Sequence, residues 1–216
     1  MSKKYEIFLF DLDGTITDSA LGITNSVMYA LKKFGIEETD RTKLYKFIGP
    51  PLTESFEKFY GFTKEQSLDG VKYYREYYHD KGIYENRVYD GLEEVLKKIN
   101  EAGKQAIVAT SKLEKYAKII IEHFHLTQYF ACVAGMEMDG GRGTKAQVIT
   151  YALETNDITD KSNVLMIGDR EHDVIGAHEN GLDCLGILYG FGSRKEFEEA
   201  GADYIRENVE DILQFV

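Results

Sequence analysis

The segment Phe10-Asp11-Leu12-Asp13-Gly14-Thr15 sets two carboxylates two residues apart where an apolar run stops. In α/β sheets, ligands bind beyond the carboxyl ends of the strands. Gly14 lets the backbone turn sharply or approach a ligand, although Asp and Gly also make ordinary turns. A second acidic pair, Asp169 and Asp173, follows the run Val164-Leu165-Met166-Ile167-Gly168. Its four-residue spacing puts both carboxylates on one side of a first helical turn, where Asp can also serve only as a cap. Both pairs end strands, so a parallel sheet would gather them at one edge. Four like charges there repel unless neutralised, and a hard divalent cation with oxygen ligands, Mg²⁺, would do this. His172 stands among them and reads as a surface residue.

Two further groups suit an anion. Thr110-Ser111 follows Ala106-Ile107-Val108-Ala109 and is expected to open a helix, where hydroxyls and free N–H groups bind phosphate. Ser111-Lys112-Leu113-Glu114 also fits a capping box, as do the segments starting at Thr63, Thr144 and Ser193. Lys145 follows Gly140-Gly141-Arg142-Gly143 and stands at an expected helix start. A cation is mildly unfavourable there, so a reason outside the helix is called for.

The elements that must hold these residues are short apolar runs alternating with amphipathic stretches. Strands are expected at Tyr5–Phe10, Lys104–Ala109, Phe130–Ala134, Asn163–Ile167, Cys184–Leu188 and Ala202–Ile205, and near-continuous apolar character means cover on both faces. Helices are expected at about 91–102, 113–124, 144–155, 172–180, 194–200 and 208–215. The fold class is therefore α/β with a doubly wound parallel sheet. The alternation fails over 17–87, which reads as helices near 18–34, 40–47, 53–60 and 64–81 with Pro50-Pro51 between two of them. The expected domains are 1–16 with 88–216, and 17–87. Most aromatics of the helical insertion, such as Phe59, Tyr73 and Tyr77, are expected to pack its interior.

The 216 residues carry 26 basic and 37 acidic side chains, a net charge of −11. That balance disfavours nucleic acid and anionic lipid as partners, but a local metal and lysine can still hold an anion. Cys132 and Cys184 are too few for a disulfide framework and suit a reducing compartment. The apolar run before Asp11, Ile7-Phe8-Leu9-Phe10, has only four residues, too short for a signal-peptide core, and no run approaches a membrane span. The expected location is cytoplasmic.

On Asp11 to Thr15, Thr110, Lys145, and Gly168-Asp169 with Asp173, the chain resembles the haloacid dehalogenase (HAD) superfamily in its phosphatase branch. The likeness runs over essentially the whole chain. The segments Ile48-Gly49-Pro50-Pro51-Leu52 and Gly168-Asp169-Arg170 are similar to phosphoglycolate-phosphatase-like members. Lys145 is followed by Ala146, where some members have proline. The resemblance implies a Rossmann-like core with a helical cap at 17–87. It implies Asp11 as nucleophile forming an aspartyl-phosphate and Asp13 as general acid and base. Thr110, Ser111 and Lys145 would bind phosphate. Mg²⁺ would be held by Asp11, the Asp13 carbonyl, Asp169 and Asp173. The partner would be a small phosphorylated metabolite, acted on by a monomer or homodimer. Alternatives are a sugar phosphomutase, whose cap histidine is replaced here by Ile23, and a non-catalytic phosphate-binding regulator.

Overall fold

The computed structural model describes residues 3–137 and 141–216. The chain divides into two compact units, Met1–Thr17 with Val88–Val216, and Asp18–Arg87. In chain order the first elements are β1 (Ile7–Phe10) and β2 (Thr17–Asp18), then α1 (Ala20–Lys33), α2 (Leu52–Tyr60) and α3 (Lys64–Tyr77). β3 (Arg87–Val88) pairs with β2 in a two-stranded sheet. There follow α4 (Leu92–Glu101), β4 (Gln105–Leu113), α5 (Glu114–His123), β5 (Phe130–Met136), α6 (Lys145–Thr155) and β6 (Val164–Gly168). The chain ends with α7 (Glu171–Glu179), β7 (Asp183–Ile187), α8 (Arg194–Ala200) and β8 (Tyr204–Arg206).

The larger unit is a six-stranded parallel sheet, ordered β5-β4-β1-β6-β7-β8, flanked by helices. β1 lies between β4 and β6, so the strand order reverses at β1 and opens a crevice beyond its carboxyl end. Phe8, Leu9 and Phe10 of β1 are fully buried, as continuous apolar strands require when both faces are covered. Leu9, Ile107 and Met166 of the sheet share one core with Val148, Ile149 and Val174 of α6 and α7. α4 buries Leu92, Val95, Leu96 and Ile99, a stripe at helical spacing. Each such side chain contributes roughly 1.5–3 kcal/mol on burial. Cys184 is buried as a free thiol, whereas Cys132 is only half-buried.

The smaller unit, Asp18–Arg87, is helical and packs on its aromatics. Phe56 stacks on Phe62 at 5.5 Å between centroids, Phe34 meets Phe62 at 4.6 Å, and Tyr74 stacks on Tyr78 at 5.3 Å. Ile23 is buried in α1. Arg41–Phe47 is a 3₁₀-helix, capped by Asp40 accepting from the Thr42 amide at 3.0 Å. α3 stops at Tyr77 and the chain continues as a single π-helical turn, Tyr78–Gly82, in place of the expected run to 81. The C-terminal helix is likewise a 3₁₀ segment, Val209–Phe215. No helix among the described residues is long and apolar enough to cross a membrane.

Candidate active site

β1 ends at Phe10, and the next residues turn back on themselves. The Leu12 carbonyl accepts the amides of Thr15, Ile16 and Thr17, and the Gly14 amide donates to Thr17 at 2.8 Å. Gly14 has φ +82°, and a Cβ there would lie 2.0 Å from Asp169 Oδ2. Both the conformation and the close approach of that carboxylate therefore demand glycine. The Tyr189 hydroxyl donates to the Thr15 carbonyl at 3.1 Å and pins the turn from β7's side. Asp11 leaves β1 with its amide bonded to the Ile167 carbonyl of β6 at 2.9 Å.

Phe10 pairs with Ile167 as β6 runs to Gly168, and Asp169 follows one residue on, bringing its carboxylate near that of Asp11. Asp169 is fully buried, and its Oδ2 accepts the Phe191 amide at 2.8 Å. Asp173 sits in the first turn of α7, where its Oδ2 accepts the Arg170 amide at 3.1 Å. Its carboxylate lies over Gly168, where a Cβ would come within 2.1 Å. Oδ2 thus caps the helix, and Oδ1 is left to face Lys145. Asp169 precedes the helix, so the two meet by convergence and not along one helical face. His172 is half-exposed and outside the acidic group.

Lys145 opens α6, fixed by a capping box. Thr144 Oγ1 accepts the Gln147 amide and Gln147 Oε1 accepts the Thr144 amide, each at 3.2 Å. Its Nζ lies 2.9 Å from Asp11 Oδ1, 2.7 Å from Asp173 Oδ1 and 2.9 Å from the Ala109 carbonyl. One hydrogen bond to a carbonyl and two close ion pairs explain a cation at a helix N-terminus. Burial alone would lower the Lys145 pKa, but Asp11 and Asp173 outweigh it and hold it raised. Burial, then Asp173 and Asp11, pushes the Asp169 carboxyl well up. Asp173 is raised to about 6 by burial against the pull of Lys145.

One carboxylate oxygen each from Asp11, Asp169 and Asp173 lie within 4.8 Å of one another. Asp169 Oδ1 is buried and accepts no hydrogen bond. Three buried carboxylates against one lysine leave a net charge of about −2, which burial makes costly. Hard oxygen donors, an unpartnered buried oxygen and excess negative charge fit a hard divalent cation. The Asp13 carboxylate is not part of this group.

The structure corrects the reading of Thr110 and Ser111. They do not open a helix: β4 runs on to Leu113, and α5 starts at Glu114 with no side-chain cap. Thr110 pairs with Gly135 and Leu113 with Met136, so β4 advances three residues while β5 advances one. Ser111 and Lys112 form the resulting bulge. Thr110 is buried next to Ala109, whose carbonyl holds Lys145, and its Oγ1 accepts the Lys112 amide at 3.2 Å. Of the boxes read from sequence, those at Thr63 and Thr144 are complete, and Ser193 caps α8 through the Glu196 amide.

Two residues escaped the sequence reading. Lys112 Nζ donates to Asp13 Oδ2 at 2.6 Å, joining positions 99 residues apart. Arg142 meets Glu114 at 2.7 Å and Glu137 at 2.8 Å, donates to the Gly135 carbonyl and lies over the Tyr151 ring. It anchors the approach to Lys145. Gly140 of the same glycine-rich stretch lies outside the described residues.

The family model described as haloacid dehalogenase-like hydrolase matches residues 8–187. A relative from Pseudomonas aeruginosa named 5'-nucleotidase is 44% identical over 193 residues, 89% of this chain and 87% of the relative. A Mycobacterium tuberculosis relative named tyrosine-protein kinase PtkA is 35% identical over 188 residues, 87% of this chain; the match spans 63% of that relative's own length. A solved structure described as a predicted phosphatase from Clostridium acetobutylicum matches with a TM-score of 0.93 at 47% identity, covering 98% of each chain. By sequence, fold and the order of its site residues, the chain belongs to the haloacid dehalogenase-like hydrolase family.

Proposed function

We propose that the chain is a Mg²⁺-dependent phosphatase that hydrolyses a small phosphomonoester through an aspartyl-phosphate on Asp11. The observation that carries this reading is the buried cluster of Asp11, Asp169, Asp173 and Lys145 where the strand order reverses. Asp11, Asp169, Asp173 and the Asp13 carbonyl would hold Mg²⁺, which when bound neutralises the phosphate oxygens facing a carboxylate nucleophile.

Asp11 attacks phosphorus, and the bond from phosphorus to the leaving oxygen breaks as the Asp11 oxygen–phosphorus bond forms. Lys145 orients the Asp11 carboxylate through Oδ1; with Thr110 and Ser111 it is assigned to the phosphate oxygens, which would take the place of one of its present acceptors. Asp13 gives a proton to the departing oxygen. It then takes one from the water that hydrolyses the aspartyl-phosphate, and so ends as it began. Such acid–base help contributes on the order of 10²–10⁴ in rate, or about 3–5 kcal/mol.

The 44% identity to a protein named 5'-nucleotidase makes nucleoside 5'-monophosphates the first substrates to try. The helical unit Asp18–Arg87 is assigned the choice among substrates, so substitutions in it should change relative kcat/KM across a panel. The relative named tyrosine-protein kinase favours one second reading, phosphoryl transfer to a tyrosine hydroxyl instead of water. Incubation with a panel of nucleoside monophosphates and other phosphomonoesters, with Mg²⁺ and a phosphate assay, tests the main reading. A phosphorylated Asp11 peptide found by mass spectrometry should accompany turnover. Absence of phosphate release from the whole panel would overturn it, and label appearing on tyrosine instead would favour the second.

A further inference from the structure

Asp13 has two oxygens in different surroundings. Oδ2 accepts from Lys112 Nζ at 2.6 Å, with both side chains largely shielded from solvent. Oδ1 is buried and has no hydrogen-bond partner. Lys112 reaches Asp13 only because β4 bulges at Ser111 and Lys112 and because Thr110 Oγ1 holds the Lys112 amide. The bulge needs room, and Gly135 provides it: a Cβ there would lie 2.7 Å from the Lys112 carbonyl.

We propose that Lys112 is a positioning residue that holds the Asp13 carboxyl through Oδ2 and so leaves Oδ1 as the oxygen that serves the leaving group. This deepens the phosphatase reading and rests on it. An ammonium donates and cannot accept. With Lys112 on Oδ2, Oδ1 is the oxygen left to exchange a proton with the leaving group or the water. In the first step the Oδ1–H bond breaks and the proton passes to the departing oxygen. In the second, Oδ1 takes a proton from the attacking water. A purely structural role, bracing the bulge, would affect all substrates alike.

Leaving groups separate the two roles. 4-Nitrophenoxide departs without a proton, whereas an alkoxide needs one. The wild-type chain, Lys112→Met and Lys112→Arg are compared with Mg²⁺ by kcat/KM. The substrates are 4-nitrophenyl phosphate and the best-used alkyl phosphate among adenosine 5'-monophosphate, glycerol 3-phosphate and phosphoglycolate. Lys112→Met should lose about 10–100-fold on the alkyl phosphate and under about 3-fold on the nitrophenyl ester, a share of what acid–base help supplies. Lys112→Arg, which keeps charge and donors, should restore most of the loss. If Lys112→Met does not fold by circular dichroism, Lys112→Gln should show the same change in the ratio of the two substrates. An unchanged ratio, with both substrates falling by one factor, would overturn the assignment. A wild-type chain that releases phosphate from none of these esters would bring down the phosphatase reading itself, and this inference with it.

Discussion

Metal-free protein should gain stability as pH falls from neutral to mildly acid, and the buried acid cluster is the reason. Asp173 has its pKa raised from 3.8 to about 6, by burial first and by Asp11. A carboxyl whose folded pKa lies above its unfolded one binds its proton more tightly in the fold. Its contribution is fully present below the unfolded pKa and is lost as pH rises through the folded pKa. The window is therefore about 3.8 to 6. For one site the contribution is RT ln[(1 + 10^(pKa,folded − pH))/(1 + 10^(pKa,unfolded − pH))]. It is near zero at about pH 7.5 and on the order of 1 kcal/mol at about pH 5. At roughly 2–4 °C per kcal/mol for a chain of this size, Tm should rise by a few degrees from this residue. Asp169, also raised, acts in the same direction. Asp40, Asp160 and Asp183 are held low, so their contributions are lost as pH falls and oppose the gain only at the acid end. Thermal unfolding in chelator, wild type against Asp169→Asn/Asp173→Asn, isolates the cluster. The double variant should be more stable at neutral pH and lose the upward slope. Equal slopes in the two proteins would refute the reasoning.

Asp11→Asn should leave a folded protein with turnover lower by at least ~10³-fold, read from phosphate release by a metal-loaded sample. Chelation should abolish activity and Mg²⁺ restore it, with Ca²⁺ a poor substitute because its looser coordination misplaces the attacking carboxylate; full activity in excess chelator would count against the metal site. Lys145→Met should cost about 3–5 kcal/mol, since Asp11, Asp173 and the Ala109 carbonyl lose a buried cation, and so lower Tm by about 6–20 °C. That loss should shrink toward pH 5, where Asp173 takes up a proton instead.

The sheet and the acidic residues were legible because each is signalled locally. Phe8 to Phe10 and Val164 to Ile167 are apolar without interruption, and the carboxylates stand where those runs stop. Parallel strands with a reversal at β1 then bring Asp11 and Asp169 together with no further information. The end of β4 was not legible for the opposite reason. Ser111-Lys112-Leu113-Glu114 has the residue types of a helix start, and local propensity favours that reading. What decides the conformation is pairing with β5, Thr110 to Gly135 and Leu113 to Met136. Tertiary pairing overrode the local signal.

The same override produced the contact that sequence reading missed. Had a helix begun at Ser111, Lys112 would have stood in its first turn, where a cation is disfavoured. Carrying the strand to Leu113 turns Lys112 into a bulge residue that meets Asp13, 99 positions earlier in the chain. Lys145 shows the complementary case. It does occupy a helix start, and its cost there is offset by Asp11 and Asp173. Both lysines meet carboxylates that follow strand β1, Asp13 for Lys112 and Asp11 for Lys145. For Lys145, a cation placed against its local helix preference is therefore the informative sign: the helix start sets its place, and the carboxylates beyond the sheet supply the reason for its charge.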